Sequence, residues 1–245
     1  MTWSIVAKDS ETGFFGIAIA SKFFAIGAFC PWASPDVGAV STQALVNPTL
    51  GPQILELMRD GHCVDDIVTK LTDIDQGIEA RQVHFVDRNG NTAARTGSEC
   101  VEWCGHVAAA GVSVAGNMLA GADVVTDTLD AYLSNAAQPL VERLLMAMKA
   151  GEAAGGDKRG KQGAAILIQG PEIYPSLDLR VDDHAAPLSE LTRLYEIAKA
   201  RSIPFSLAFP TAARPHGITD RGKLEAMIER EAGKPLGQAR LNEND

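Results

Sequence analysis

The chain has little positive charge and few aromatic side chains, and each shortage argues against a class of partner. Lys and Arg total 22 against 31 Asp and Glu, which gives a formal net charge of −9 at pH 7. Nucleic acids and anionic membranes are bound by basic surfaces, so neither is an expected partner. Aromatic residues make up only 6% of the chain, which argues against a surface that stacks bases or sugars.

Cysteines and long apolar runs are also scarce. Four cysteines in 245 residues do not form a dense disulfide framework, so a reducing cytoplasm is the expected location. The apolar stretch from Phe23 to Ala33 is far shorter than the roughly 20 residues of a membrane helix. Asp9 and Glu11 interrupt the first apolar run and no basic segment precedes it, so we expect no secretory signal.

The amino end carries the strongest structural pattern. Residues 2–9 and 14–22 are mainly apolar runs separated by Ser-Glu-Thr-Gly, which predicts a β-hairpin. Neither run alternates between apolar and polar residues, so both strands are expected to be covered on both faces. The chain is thus predicted to begin inside its own core, although termini are usually loose and exposed.

The remaining pattern predicts an α+β fold. Hydrophobic residues make up 46% of the chain, enough for one large domain or one domain with an extension. Hairpin links indicate mainly antiparallel sheets, and helices arriving in pairs between strand blocks indicate helical layers outside two stacked sheets. The proline residues Pro31 and Pro35 are interpreted as breaks. Strands are predicted at 37–45, 82–87, 92–96, 106–115, 164–169 and 176–181, and helices at 52–61, 64–71, from 123, at 139–149, 188–201 and 221–231.

Six stretches, occurring in order, resemble a prokaryotic family called domain of unknown function 1028, which belongs to the N-terminal-nucleophile (Ntn) hydrolase superfamily. They are Thr-Trp-Ser-Ile-Val-Ala at 2–7, Ile-Ala-Ser-Lys-Phe at 19–23, Gly-Ala-Val-Ser-Thr-Gln-Ala at 38–44, Gly-Asn-Met-Leu-Ala-Gly at 116–121, the glycine-rich block at 150–162, and Asp-Leu-Arg-Val-Asp-Asp-His at 178–184. The resemblance implies a four-layer αββα sandwich and amide hydrolysis by an N-terminal Thr, Ser or Cys. It predicts a domain over 1–195 and a helical extension over 196–245, and the polar composition of 241–245 predicts a disordered tail. Family members usually have Ser where this chain has Gly163.

Thr2 is the predicted nucleophile. Once Met1 is removed, the α-amine of Thr2 can act as base for its own hydroxyl. The alternative is that Thr2 is a plain strand residue near the chain start. Ser21 and Lys22 end the second strand and return toward Thr2, and an ammonium there would lower the pKa of the amine and stabilise developing negative charge. The alternative for Lys22 is a solvated strand end.

Five further side chains are predicted to bind substrate. Gln43 interrupts an apolar strand, where a buried amide is either satisfied locally or faces a ligand. Asn117 lies between Gly116 and Met118, where it is either a hydrogen-bond donor to the substrate or a simple turn residue. Asp157, Lys161 and Gln162 lie in a glycine-rich stretch whose backbone can approach a substrate closely, unless it is a flexible charged loop. The order Gly-Lys-Gln before a strand does not match a phosphate-binding loop.

A zinc site is the weakest alternative. The candidate ligands are Cys100, Cys104 and His106, which form one closely spaced group. Structural zinc sites usually have four ligands in two closely spaced pairs, so we expect no metal and no cofactor. The sequence thus leaves three functions open, namely an amide hydrolase acting on a small-molecule or peptide-like substrate, a non-catalytic small-molecule-binding module on the same fold, and a zinc hydrolase. A homodimer is compatible with the low charge density of the helical faces.

Overall fold

The two amino-terminal strands predicted from the apolar runs pair with each other in the computed structural model, which describes residues 2–239 and 241. Strands β1 (Thr2–Lys8) and β2 (Phe15–Ser21) are antiparallel, and every residue in them is buried except half-buried Lys8. Ile5 packs toward the helices on one face of the sheet, whereas Val6 packs toward the second sheet. This two-sided burial explains why the runs do not alternate in polarity.

The strands form two antiparallel sheets, as predicted. The six-stranded sheet has the order β10-β9-β2-β1-β8-β7, and the four-stranded sheet has the order β3-β4-β5-β6. The remaining strands are β3 (Pro31–Ser34), β4 (Gly38–Ala44), β5 (Arg81–Asp87), β6 (Thr92–Thr96), β7 (Gly105–Ala109), β8 (Val112–Asn117), β9 (Gly163–Gln169) and β10 (Leu177–Val181).

Helices cover the outer face of each sheet. Helices α1 (Leu50–Arg59) and α2 (Val64–Ile74) share a core with the four-stranded sheet. Helices α3 (Asp123–Ser134), α4 (Leu140–Ala153) and α5 (Pro187–Ile197) share a larger core with the six-stranded sheet. Each fully buried Leu, Ile or Phe in these cores contributes about 1.5–3 kcal/mol. The predicted α+β class is confirmed.

Within the described residues, the chain beyond α5 contains three further helical segments. A π-helical turn (Ala198–Ser202) leads into α6 (Ile203–Ser206), and α7 (Arg221–Glu231) begins where the Asp220 side chain accepts hydrogen bonds from two backbone amides. The predicted boundary between 195 and 196 remains a prediction. Apart from Leu241, the predicted disordered tail lies outside the described residues.

One strand differs from the prediction. Pro31 and Pro35 were interpreted as breaks, but Pro31 begins β3, which pairs with β4 from Pro31–Ser41 to Ser34–Gly38. Because β3 is the edge of its sheet, a proline at its first position costs no ladder hydrogen bond on the open side. Among the described residues, no helix combines the length and the apolar character needed to cross a bilayer.

Candidate functional site

Thr2 lies at one end of the six-stranded sheet, beside the ends of both neighbouring strands. It pairs with Asn117, the last residue of β8, and its Oγ1 donates a hydrogen bond to Ser21 Oγ at 3.1 Å. Thr2 is only 3% exposed. The hairpin therefore brings two hydroxyls together inside the fold, in the arrangement that the sequence pattern predicts for Thr2 and Ser21.

Three amide side chains hold the backbone at this position. Gln43 Nε2 and Asn117 Nδ2 each lie 3.5 Å from the Thr2 carbonyl oxygen, and they donate to Gln82 Oε1 at 2.8 and 3.0 Å. Gln82 Nε2 in turn lies 3.1 and 2.9 Å from the carbonyl oxygens of Gly105 and Gly116. Gln82, which the sequence analysis did not single out, therefore links both sheets next to Thr2.

The amides continue into a row of buried hydroxyls between the sheets. Ser4 Oγ lies 2.8 Å from Gln43 Oε1, 3.0 Å from Ser41 Oγ and 2.7 Å from His84 Nε2. His84 Nδ1 lies 3.1 Å from Ser113 Oγ. We call this set the inter-sheet polar network; it consists of Ser4, Ser41, Gln43, Gln82, His84, Ser113 and Asn117, all at most 2% exposed.

Full burial makes His84 a neutral member of this network. Desolvation, with a smaller contribution from His106, lowers the pKa of His84 to about 3. The imidazole is therefore uncharged at neutral pH and connects two serine hydroxyls, one through each ring nitrogen. Its role in the structure is to satisfy buried polar groups, which would otherwise cost about 1–3 kcal/mol each.

A two-residue period identifies this network in the sequence. Polar side chains recur at alternate positions in otherwise apolar strands, for example Ser41 and Gln43 in β4 and Gln82 and His84 in β5. Of the network residues, Gln43 and Asn117 were singled out, and all polar atoms of the Gln43 side chain have partners inside the protein. A contact between Gln43 and a substrate would have to replace one of them, so that role remains a prediction.

The glycine-rich loop packs beside Thr2 and is held there by Asp157. Asp157 Oδ2 accepts a hydrogen bond from the Lys22 backbone amide at 2.7 Å, and Oδ1 accepts one from the Arg159 backbone amide at 2.9 Å. Gly156 has a positive φ of 51° and lies so close to Trp3 that an added Cβ would be 3.1 Å from its ring. Asp157 is thus engaged in positioning the loop against β1 and β2.

Two ammonium groups and one amide lie on the same side of the site. Lys22 Nζ donates to the Lys161 carbonyl at 3.2 Å, and Lys161 Nζ pairs with Glu152 at 2.9 Å. The Gln162 amide nitrogen Nε2 donates to Asp183 Oδ1 at 3.1 Å. The structure gathers these predicted residues at the end of β2, and the described side-chain contacts of both lysines are with residues other than Thr2.

The three residues of the zinc alternative have separate partners. Cys100 Sγ donates to the Arg81 carbonyl, Cys104 Sγ to the Cys100 carbonyl, and His106 Nδ1 lies 3.0 Å from Thr96 Oγ1. Burial is the main cause that raises the pKa of the Cys100 thiol to about 11, which disfavours the thiolate that zinc requires. Within residues 2–239 and 241, no three His, Cys, Asp or Glu side chains converge as metal ligands. The zinc alternative therefore has no geometric support.

The cavities that we describe lie away from Thr2. One of about 290 Å³ is lined by Asp9, Phe14 and Gln138 among others, and another of about 670 Å³ by Ile173, Tyr174 and Phe209. Thr2 is not among the described residues that line these two cavities.

Gly163 begins β9 at a position where the surrounding backbone leaves no room for a side chain. A Cβ added there would lie 2.8 Å from the Phe23 carbonyl oxygen and 3.2 Å from that of Val181. We expect Gly163→Ser to lower the free energy of unfolding by about 1–3 kcal/mol, the usual cost of overpacking. Chemical denaturation measures it. Gly163→Ala introduces the same Cβ without the hydroxyl and should cost a similar amount; an unchanged or higher stability for both variants would contradict the prediction.

Comparisons with known proteins agree on one family. The model of a family of unknown function, DUF1028, matches residues 2–191. The crystal structure of a Silicibacter pomeroyi protein of that family is similar, with a TM-score of 0.83 and 32% sequence identity over 90% of this chain and 96% of that one. Anbu, an ancestral beta-subunit from Yersinia bercovieri, gives a TM-score of 0.39 at 10% identity over 78% of this chain and 91% of that one, which is too low to carry an argument. No curated protein matches the sequence.

Proposed function

This chain belongs to the family of unknown function DUF1028, and from that premise we propose that it is an N-terminal-nucleophile hydrolase that cleaves a small amide or peptide-like bond. One observation carries the proposal: the Thr2 hydroxyl is buried at the start of β1 and hydrogen-bonded to Ser21 at 3.1 Å. A nucleophile requires a fixed position and a base, and the α-amine of Thr2 supplies the base once Met1 is removed.

The proposed reaction runs in two steps. The Thr2 amine takes the proton of Oγ1, directly or through a water molecule, as Oγ1 forms a bond to the carbonyl carbon of the substrate. The amide C–N bond then breaks and the leaving nitrogen takes that proton, which leaves an ester on Oγ1. Water cleaves the ester, releases a carboxylic acid and restores the Thr2 hydroxyl.

The neighbours of Thr2 have distinct proposed parts. Ser21 stabilises Oγ1 as its proton leaves, because the two oxygens are within hydrogen-bond distance. Asn117 and Gln43 direct amide groups at the Thr2 carbonyl and keep the nucleophile in register. Lys22 supplies positive charge that favours the neutral amine. Lys161 and Gln162, which are not buried, are two side chains of the loop that can contact a substrate without displacing buried partners.

The order of helices and sheets supports the finer fold assignment. We assign the molecule to the four-layer αββα sandwich of Ntn hydrolases. The support is that α1 and α2 pack on one sheet, α3, α4 and α5 pack on the other, and Val6 and Ile17 of one sheet meet Ala39 and Val86 of the other between them. In this assignment, Thr2 lies at one end of the cleft between the two sheets.

Intact-mass measurement combined with a β-lactone probe tests the function. Protein purified from its natural host should begin at Thr2, and reaction should add the full mass of the lactone, because the ring opens without a leaving group. Digestion should place the adduct on the peptide that begins with Thr2. A chain that keeps Met1 in every preparation contradicts the mechanism, because an amide nitrogen is not a base.

The second candidate is a small-molecule-binding module without catalysis. It is favoured by the 3% exposure of Thr2, which limits contact between its hydroxyl and a substrate. A ligand of such a module near Gln43 and Asp157 would meet side chains that are buried among protein partners. The same mass measurement separates the two candidates, since a binding module forms no covalent adduct at Thr2.

A further inference from the structure

Strand β10 forms an open edge of the six-stranded sheet among the described residues. The edges formed by β6 and β7 lie together, with Thr96 Oγ1 3.0 Å from His106 Nδ1. The edge strand β3 begins with Pro31 and lies against α1, where an added Cβ on Gly51 would be 2.2 Å from Trp32 Cγ. In the part of the chain that the structure describes, no strand pairs with the second side of β10. Such an edge offers unpaired backbone donors and acceptors to another strand.

The charges on β10 are self-complementary. Leu177 and Val181 are buried in the core shared with α5, whereas Asp178 and Arg180 are exposed on the opposite face of the strand. If a second β10 pairs antiparallel about a two-fold axis at Leu179, Asp178 of each copy lies opposite Arg180 of the other. Axes at the two neighbouring residues would instead place Asp178 opposite Asp178, or Arg180 opposite Arg180. Opposite charges in directly facing positions stabilise a strand pair, and like charges destabilise it.

Exposed phenylalanines flank this edge. The segment that carries Phe23, Phe24 and Phe29, which are 47%, 62% and 41% exposed, lies against the end of β10. The Ala25 amide donates to the Asp182 carbonyl at 3.0 Å, and Gly27 leaves room for the Arg180 side chain. Neighbouring exposed aromatic residues are typical of association surfaces rather than of free surfaces.

We propose that two copies of this chain associate through their β10 strands, antiparallel about Leu179, so that their six-stranded sheets form one continuous sheet. The interface is isologous, as in most dimers of identical chains. Charged residues on an edge strand also protect a monomer from pairing. An edge strand is protected best from pairing when its charges have one sign, because any second copy is then repelled. On β10, Asp178 and Arg180 have opposite signs, which favours pairing in this single register.

A charge-swap series tests the proposal by light scattering after size exclusion and by sedimentation equilibrium over a concentration series. The native chain is expected to be a dimer. Arg180→Asp places like charges opposite each other twice and should weaken the dimer about tenfold or more. The double variant Asp178→Arg with Arg180→Asp reverses both pairs and should restore the native dimer.

Circular dichroism melts of the native chain and both variants check that each protein is folded. A variant that is monomeric but melts cooperatively has lost the dimer and not the fold. A native chain that is monomeric at every concentration overturns the proposal. So does a dimer that Arg180→Asp does not weaken, or a double variant that stays as monomeric as the single one. These outcomes are independent of the proposed hydrolase function.

Discussion

Replacing Thr2 with alanine is expected to abolish lactone labelling and amide hydrolysis while the protein stays folded. In a well-studied serine protease, loss of the nucleophile lowers turnover by roughly 10⁶-fold, so a large loss is expected here if the proposed mechanism holds. The structural cost is small, because the side chain makes one described hydrogen bond, to Ser21, worth about 1 kcal/mol. The adduct mass per chain measures the loss of labelling, and the thermal midpoint of the same sample measures the loss of stability.

Two matched variants show whether Thr2 acts as the nucleophile. Thr2→Ser keeps a hydroxyl next to the amine and should keep labelling, whereas Ser21→Ala removes the hydrogen-bond partner and should slow labelling without abolishing it. Their different outcomes separate loss of the attacking oxygen from a general disturbance of the site. Equal labelling of the native chain and Thr2→Ala would remove the basis of the catalytic proposal and leave the binding module as the better candidate.

The largest effect on stability is expected from acid, through His84. Burial lowers the pKa of His84 to about 3 in the folded chain, whereas the unfolded value is about 6.5. Between these values the unfolded chain binds a proton that the folded chain does not, so the free energy of unfolding falls as pH falls. The slope approaches about 1.4 kcal/mol per pH unit, and the loss summed from about pH 6.5 to about pH 3 reaches several kcal/mol.

His84→Gln is the matched control for this titration. Glutamine can still accept a hydrogen bond from Ser4 or donate one to Ser113 but carries no titrating group. Carboxylates such as Glu79, whose pKa the Ser98 amide and hydroxyl and the Arg95 guanidinium lower to about 2, are present in both proteins, so their contribution cancels in the difference. Urea unfolding at a series of pH values should therefore show the native chain losing more stability on acidification than the variant. Parallel curves would show that His84 does not remain neutral in the fold.

The secondary structure was largely predictable because its causes are local. The strand over 92–96 was predicted with the observed limits, and the hairpin of β1 and β2 followed from two apolar runs around a polar turn. β3 was missed because Pro31 normally ends a strand. Its pairing with β4 depends on lying at the sheet edge, a property of the assembled sheet rather than of the segment.

By itself, the sequence determined that the strand beginning at Thr2 lies within the core and that Thr2 meets Ser21. A hairpin is a short-range structure whose register follows from its turn. Only the tertiary structure decided which partners the other polar residues have. Gln82 and Gln43 lie on neighbouring strands 39 positions apart, and Ser4 meets His84 across 80 positions. Asp157 was predicted to bind substrate, yet it is occupied by the Lys22 amide 135 positions away. The contact between Ser4 and His84 depends on how the two sheets stack, and the other two depend on which strands and loops become neighbours. Both are set by the whole core rather than by the residues around any one site.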